Sequence, residues 1–482
     1  MTIATSWPID DVDPLSSGFW GPEFGYIELL MRPESDGNPT PWVLSDLEMI
    51  DETTWALTLN EGVKFVNGKS FDGEALADLL NWTAENNANF ASTANFASAE
   101  ATGPLDVELK TTAPTPTMAN ILAEESNVLV FDLEGYEEHQ ASGADPAALL
   151  EAGIYSGPYQ ITSLNPQRAE LEPVDAYWAG TPALSSVTIK FVPEASARVQ
   201  GVQAGEVDIA LYIPAEVAQT LEGRTDAYFL SGTPTGLVHG LMSRVVSPNF
   251  EDERVRRAFY LTVDYRSIAE DVLKGHAGLA TSVFPSGFPY AVDTQKTDVA
   301  AAGAELEAAG WTLGGDGIRE KNGERLTIRL LATPTMPDTL VISQAIQAQA
   351  KEAGIDVQIV QVDDIYSARD EPNWEVSFAS SLLTFSGAPD QGITELLTTG
   401  GPVNYAKISD PELDALAGEL RQTFDTEKRH TILGDIQRLV SERGYFAVAA
   451  QRILTVVAGP DWQGYKVPVA NLWVDAKTRP SA

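Results

Sequence analysis

The sequence predicts a mixed α/β protein of more than one domain. Strand-like apolar runs alternate with amphipathic, helix-like runs along the whole chain. Residues 326–362 read as a β-α-β unit, which requires a right-handed crossover and a parallel sheet. The chain has 482 residues, room for about three domains at ~150 residues each. With 44% apolar residues, it has the composition of a protein with a buried core rather than an acidic disordered chain.

Thr54–Leu59 alternates as a strand does. Gly62–Gly68 follows as turn, strand and turn, and Asn67-Gly68 suits a tight turn with positive φ. Residues 72–84 are predicted helical, with Asp72 as N-cap and Leu76, Leu79, Leu80 and Thr83 on one face. Residues 187–192 form a strand stopped by Pro193, residues 196–204 a helix ended by Gly205, and residues 207–211 another strand. Residues 254–272 read as one long helix with Val255, Ala258, Phe259, Val263 and Ile268 turned inward. The glycine-rich run 314–317 reads as a hairpin turn, since Asp316 would repel a phosphate. Residues 326–332, 340–353 and 355–362 make the strand, helix and strand of the β-α-β unit, with Gly354 ending its helix. Two helices follow at 411–423 and 426–443, then a strand at 453–458.

Charge and composition exclude several functions. A net charge of −38 repels nucleic acid and anionic membranes. The most apolar late segment, 446–458, is interrupted by Gln451 and Arg452, so no run is long enough to span a membrane. With no cysteine there are no disulfides, thiolate metal sites or cysteine catalysis. His139, His239, His276 and His430 are far apart in sequence and show no metal-ligand spacing, so neither a metal nor a cofactor is expected. Acidic pairs such as Asp10-Asp11, Glu124-Glu125 and Asp363-Asp364 occur about as often as chance placement gives. Nucleophile-elbow, Walker and Gly-x-Gly-x-x-Gly patterns are missing. The dense aromatics Trp7, Phe19, Trp20, Phe24 and Tyr26 lie among turn residues, where aromatics often line ligand clefts. A binding cleft is therefore expected rather than a catalytic centre. The remote alternative is a glycoside-cleaving enzyme whose two carboxylates meet only in space.

Seven motifs in order then resemble one family. Residues 54–82 contain a strand, a Gly-Val-Lys-Phe-Val-Asn-Gly turn and a helix. Gly157-Pro158-Tyr159, Tyr177-Trp178-Ala179-Gly180-Thr181-Pro182 and Gly205-Glu206-Val207-Asp208 follow. Next come Val255-Arg256-Arg257-Ala258 with Asp264-Tyr265-Arg266, then Ala309-Gly310-Trp311, then Gly354-Ile355. From about Asp13 to Tyr465 the chain resembles the family 5 extracytoplasmic solute-binding proteins of ABC transporters, the peptide/nickel-binding group.

The resemblance implies a type II (cluster C) periplasmic-binding-protein fold, with two lobes that close over a ligand cleft and an extra small domain. Lobe one is expected from residues 1–33, 157–238 and 453–482, the accessory domain from 34–156, and lobe two from 239–452. Crossings near 236–240 and 448–454 would form the hinge. The expected partners are a small-molecule or peptide ligand and ABC permease subunits, with the protein itself a monomer. The expected location is periplasmic or on the cell surface as a lipoprotein, the leader having been removed.

The resemblance also guides the choice of site residues. Peptide-binding members grip the ligand's ammonium with an aspartate in a lobe-two loop, but here that position falls near Thr384 or Phe385, and Asp390 comes several residues later. Nickel-carrying members use an arginine in the loop that here runs 124–130, which contains none. The expected ligand is an oligopeptide or peptide-like solute, with an oligosaccharide or opine-like metabolite as the alternative. Candidate cleft residues are Phe19, Trp20, Phe24 and Tyr26 as stacking walls, His239 and Met242 at a crossing, and Leu382, Thr384 and Phe385 from lobe two.

Overall fold

In the computed structural model the helix expected at 72–84 runs Gly73–Asn86, and the Asp72 carboxylate accepts the Ala75 amide at 3.1 Å as N-cap. Leu76, Leu79, Leu80 and Thr83 are buried on one face, as the spacing requires. The structure describes residues 1–34, 37–334, 336, 338–379, 388–468 and 470–481. The chain divides into two compact units, one from Met1–Thr233 with Leu454–Ala482, the other from the described residues of 234–453.

The first unit holds a short two-stranded pair, Met31–Arg32 with Thr40–Pro41, and two larger sheets. A four-stranded antiparallel sheet has the order Leu44–Asp51, Thr54–Leu59, Asp106–Thr111, Phe96–Ala101. In the other sheet Thr2–Thr5 lies between Val187–Phe191 and Ile209–Leu211, parallel to both. Arg168–Pro173 and Tyr159–Asn165 extend it on one side, and the end of Phe446–Ala458 pairs with Ile209–Leu211 on the other. The Gly-Glu-Val-Asp motif is scaffold: Gly205 sits at φ +72, and the Asp208 carboxylate accepts the Thr2 amide at 2.6 Å. Buried Arg198 ties the neighbouring helix Ala195–Gln203 to strand ends, donating to the carbonyls of Val192, Pro193, Leu211 and Tyr212. Tyr177 of the Tyr-Trp motif donates its hydroxyl to buried Glu28, which also accepts the Trp42 indole N–H.

The second unit carries the β-α-β unit. Thr327–Ala332 and Asp356–Gln361 are parallel and joined through the helix Thr339–Glu352. Val376–Ala379 lies parallel on the other side, and the second half of Tyr228–Ser243 pairs antiparallel with it, Gly240 opposite Ala379. The helix Thr426–Arg443 has the bounds expected from sequence: Asp425 caps its start, and Gly444 ends it at φ +62, packed against Arg256.

Three expectations change. The long helix at 254–272 stops at Thr262, and Val263 is extended. The Asp264 side chain accepts the Ser267 amide at 2.9 Å and starts a new short turn, followed by a π-type turn at Ile268–Val272. Asp competes here with the helical backbone for hydrogen bonds, and the helix breaks. The strand within 62–68 reduces to one bridge between Lys64 and Ser70, while Gly68 does turn at φ +87. The last strand begins at Phe446, earlier than the apolar pattern suggested. Among the described residues no helix is long and apolar enough to cross a membrane.

Candidate functional site

A pocket of about 590 Å³ lies within the first unit, built from three segments far apart in sequence. The first is the turn that leads into the short helix Trp20–Phe24. Asp13 fastens it: one carboxylate oxygen accepts the Leu15 amide at 2.8 Å, the other the Tyr136 hydroxyl at 3.0 Å. Gly18 is needed in that turn, because a Cβ there would overlap Leu129 Cδ1 and the Pro14 carbonyl oxygen. Leu15 and Phe19 stand out at this rim, 48% and 39% exposed, unusual for large apolar side chains.

The second and third segments are the end of the helix Gly73–Asn86 and the loop 124–131. Asn87 joins them, donating its Nδ2 to the Ser126 carbonyl at 2.8 Å and the Asn127 carbonyl at 3.1 Å. Its Oδ1 accepts the Asn89 and Phe90 amides and starts the helix Ala88–Thr93. Asn89 in turn donates to Asn127 Oδ1 at 3.0 Å. Behind this seam Trp82, Phe131 and Tyr136 pack edge to face with ring centroids 5.5–5.8 Å apart. The seam holds Glu124, Glu125 and Asn127 in the pocket lining, and among the described residues that lining has no lysine, arginine or histidine.

The acids define the pocket's electrostatics. Burial, then the nearby charges of Glu23 and Glu124, push the Glu125 carboxyl well above the ordinary carboxylate value. Glu125 has no hydrogen-bond or ion-pair partner among the described residues. Glu23 is buried, and desolvation pushes its carboxyl up to about 8 despite hydrogen bonds that favour the charged form. Asn471 Nδ2 donates to it at 3.0 Å, and the Tyr212 hydroxyl stands at 3.5 Å. This arrangement suits a cation or a hydrogen-bond donor and opposes an anion.

Of the residues chosen from sequence, Phe19 lines the pocket. Trp20, Phe24 and Tyr26 lie buried in the first unit. Trp20 packs on Phe19 at 4.7 Å and stacks on Phe24 at 6.0 Å, while Tyr26 meets Tyr155 edge to face at 5.8 Å. As stacking walls they would need open faces, and the turn instead folds these three rings inward. His239 and Met242 are buried in the strand Tyr228–Ser243 of the second unit. The His239 Nδ1 has no hydrogen-bond partner, and burial holds the imidazole well below its ordinary value, hence neutral. Leu382, Thr384 and Phe385 lie outside the described residues. Sequence reasoning missed Trp82, Asn86, Asn87, Glu124, Glu125 and Asn127 as lining residues. The signal available is the 124–130 loop, which carries the Glu124-Glu125 pair and lacks an arginine.

The comparisons with known proteins agree on one family. The family model for bacterial extracellular solute-binding proteins, family 5 (middle), matches residues 38–404. The nickel-binding protein NikA of Staphylococcus aureus is 24% identical over 461 residues, covering 95% of this chain and 89% of the relative. The structure of NikA from Brucella suis in complex with Fe(III)-EDTA superposes with a TM-score of 0.86 at 22% identity, covering 100% of both chains. The oligopeptide-binding protein AppA of Bacillus subtilis in complex with a nonapeptide gives 0.77 at 20% identity, covering 99% of this chain and 97% of that one. At these identities the structures establish the fold, the two-lobed type II periplasmic-binding-protein architecture. Since the family match spans well over half of its length, the chain belongs to the bacterial extracellular solute-binding proteins, family 5.

Proposed function

We propose that this family 5 substrate-binding protein of an ABC importer captures an oligopeptide or peptide-like solute and delivers it to the permease. It is a binding protein and not an enzyme, as its named relatives are. The observation that carries the ligand class is the pocket beside Phe19: carboxylates, asparagine amides and aromatic faces, without a basic side chain among the described residues. A peptide offers an ammonium, amide N–H groups and apolar side chains, each with a matching surface there. The domain reading goes with this proposal. The chain passes between its units at 233/234 and 453/454, and these crossings would act as the hinge on which the lobes close over the solute.

A second reading, a nickel complex, is favoured by the names of relatives such as the Staphylococcus aureus protein. Among the described residues no group of three or more His, Asp or Glu side chains is placed to hold a metal ion, so nickel would have to arrive with its own ligands. A thermal-shift screen separates the readings. Mixed synthetic tri- to pentapeptides should raise the melting temperature by several degrees. A rise confined to nickel(II)–histidine, or to oligosaccharides, would displace the peptide reading.

A further inference from the structure

We propose that Asn322, at the tip of a hairpin in the second unit, is a site of spontaneous covalent modification: its side-chain amide is displaced by the Gly323 nitrogen, and the residue becomes aspartate or isoaspartate. The proposal stands apart from the reading of the pocket and uses no residue of it. The chain has two Asn-Gly steps, Asn67-Gly68 and Asn322-Gly323. Attack on an asparagine side chain is easiest at such a step, because glycine puts no Cβ beside the attacking nitrogen. Both steps are exposed turns with the glycine at positive φ, +87 at Gly68 and +83 at Gly323. Sequence and exposure therefore do not separate them. What separates them is how each asparagine is held.

Asn67 is tied at each polar atom of its side chain. Its Nδ2 donates to the Asp132 carboxylate at 2.7 Å, and its Oδ1 accepts the Lys69 amide at 3.0 Å. Lys69 Nζ pairs with the same Asp132 oxygen at 3.0 Å and holds it in place. The Gly68 amide, which would have to attack, donates to the Phe65 carbonyl at 2.9 Å. Reaction there must first break these bonds, one of them to a charged group. At the other step neither the Asn322 side chain nor the Gly323 amide has a hydrogen-bond partner among the described residues. Asn322 itself stands at φ +56, and a Cβ on Gly323 would meet nothing within 4 Å. Two register pairs, Lys321 with Glu324 and Glu320 with Arg325, close this hairpin, a short ladder that opens locally.

Water balances the step. The deprotonated Gly323 nitrogen forms a bond to Asn322 Cγ, the bond from Cγ to the side-chain nitrogen breaks, and that nitrogen leaves with a proton as ammonia. Water then opens the cyclic imide at either carbonyl. One opening gives aspartate, the other isoaspartate with the main chain routed through the former side chain. Either product adds a negative charge beside Glu324.

The test is peptide mapping by mass spectrometry of the full chain held warm at mildly alkaline pH, once folded and once in strong urea. Each site's rate of conversion in the folded chain is divided by its rate in urea, which removes the effect of its flanking residues. The ratio for Asn322 should exceed that for Asn67 by at least tenfold. Folded Asn322→Gln should lack the first acidic variant that the wild type develops on anion exchange, with an unchanged melting temperature. Ratios within threefold of each other, or a larger ratio at Asn67, overturn the proposal. So does a folded chain in which Asn322 stays intact while the urea sample converts. Should Asn322→Gln not fold, the two wild-type ratios decide alone.

Discussion

Glu23 gives the first unit's stability a measurable pH dependence. Its carboxyl sits at about 8 in the folded protein against an ordinary value of 4.5. Between those values the folded chain holds a proton that the unfolded chain has lost, so stability falls as pH rises. The slope is about 1.4 kcal/mol per pH unit for one such group. From pH 5.5 to 7.5 the loss is on the order of 2.5 kcal/mol, tapering off above pH 8. Glu23→Gln removes it. The amide can still accept from Asn471 Nδ2, which now stands 3.0 Å from the carboxylate, and it carries no charge to desolvate. The assay is the melting temperature of both proteins across pH 5.5–7.5. The wild type should fall relative to Glu23→Gln by roughly 2–5 °C over that interval. Parallel pH profiles would refute the reasoning.

Two further substitutions probe how the pocket and its unit are built. Gly18→Ala forces a methyl group against Leu129 and the Pro14 carbonyl. It should cost about 2–3 kcal/mol and weaken solute binding, and an unchanged melting temperature would show that the turn is looser than described. Arg198→Met keeps much of the apolar stem but strips donors from the carbonyls of Val192, Pro193, Leu211 and Tyr212. A loss of at least ~3 kcal/mol is expected, seen as a drop in melting temperature of about 3 °C or more, and a drop under about 1 °C would contradict the role given to this side chain.

What the sequence disclosed follows a physical divide. Local periodicity was legible: Asp72 caps a helix where the apolar spacing begins, the helix Thr426–Arg443 has its expected bounds, and Thr54–Leu59 alternates as a half-buried strand must. Where a side chain competes with the backbone, periodicity misled. The apolar spacing runs through Asp264, yet the helix breaks there. Thr2–Thr5 is too short and polar to stand out, and only its partners at 187–191 and 209–211 make it a central strand. The pocket was harder still. Its lining comes from residues near 14–19, 82–88 and 124–131, joined by Asn87, and no local pattern records that meeting. Glu124-Glu125 is one ordinary acidic pair among several, and only the fold sets it in a pocket that has no basic residue among the described residues. The aromatics of 19–26 look alike in sequence, but the fold exposes Phe19 and buries the other three.

The central claim is that this chain binds a solute and releases it unaltered. Native mass spectrometry of the full chain, before and after prolonged incubation with a defined peptide mixture, tests it most directly. The account predicts a bound peptide of stoichiometry one whose mass is the same after release as before. A free chain that takes up no peptide, or a peptide recovered cleaved or otherwise changed in mass, would contradict it.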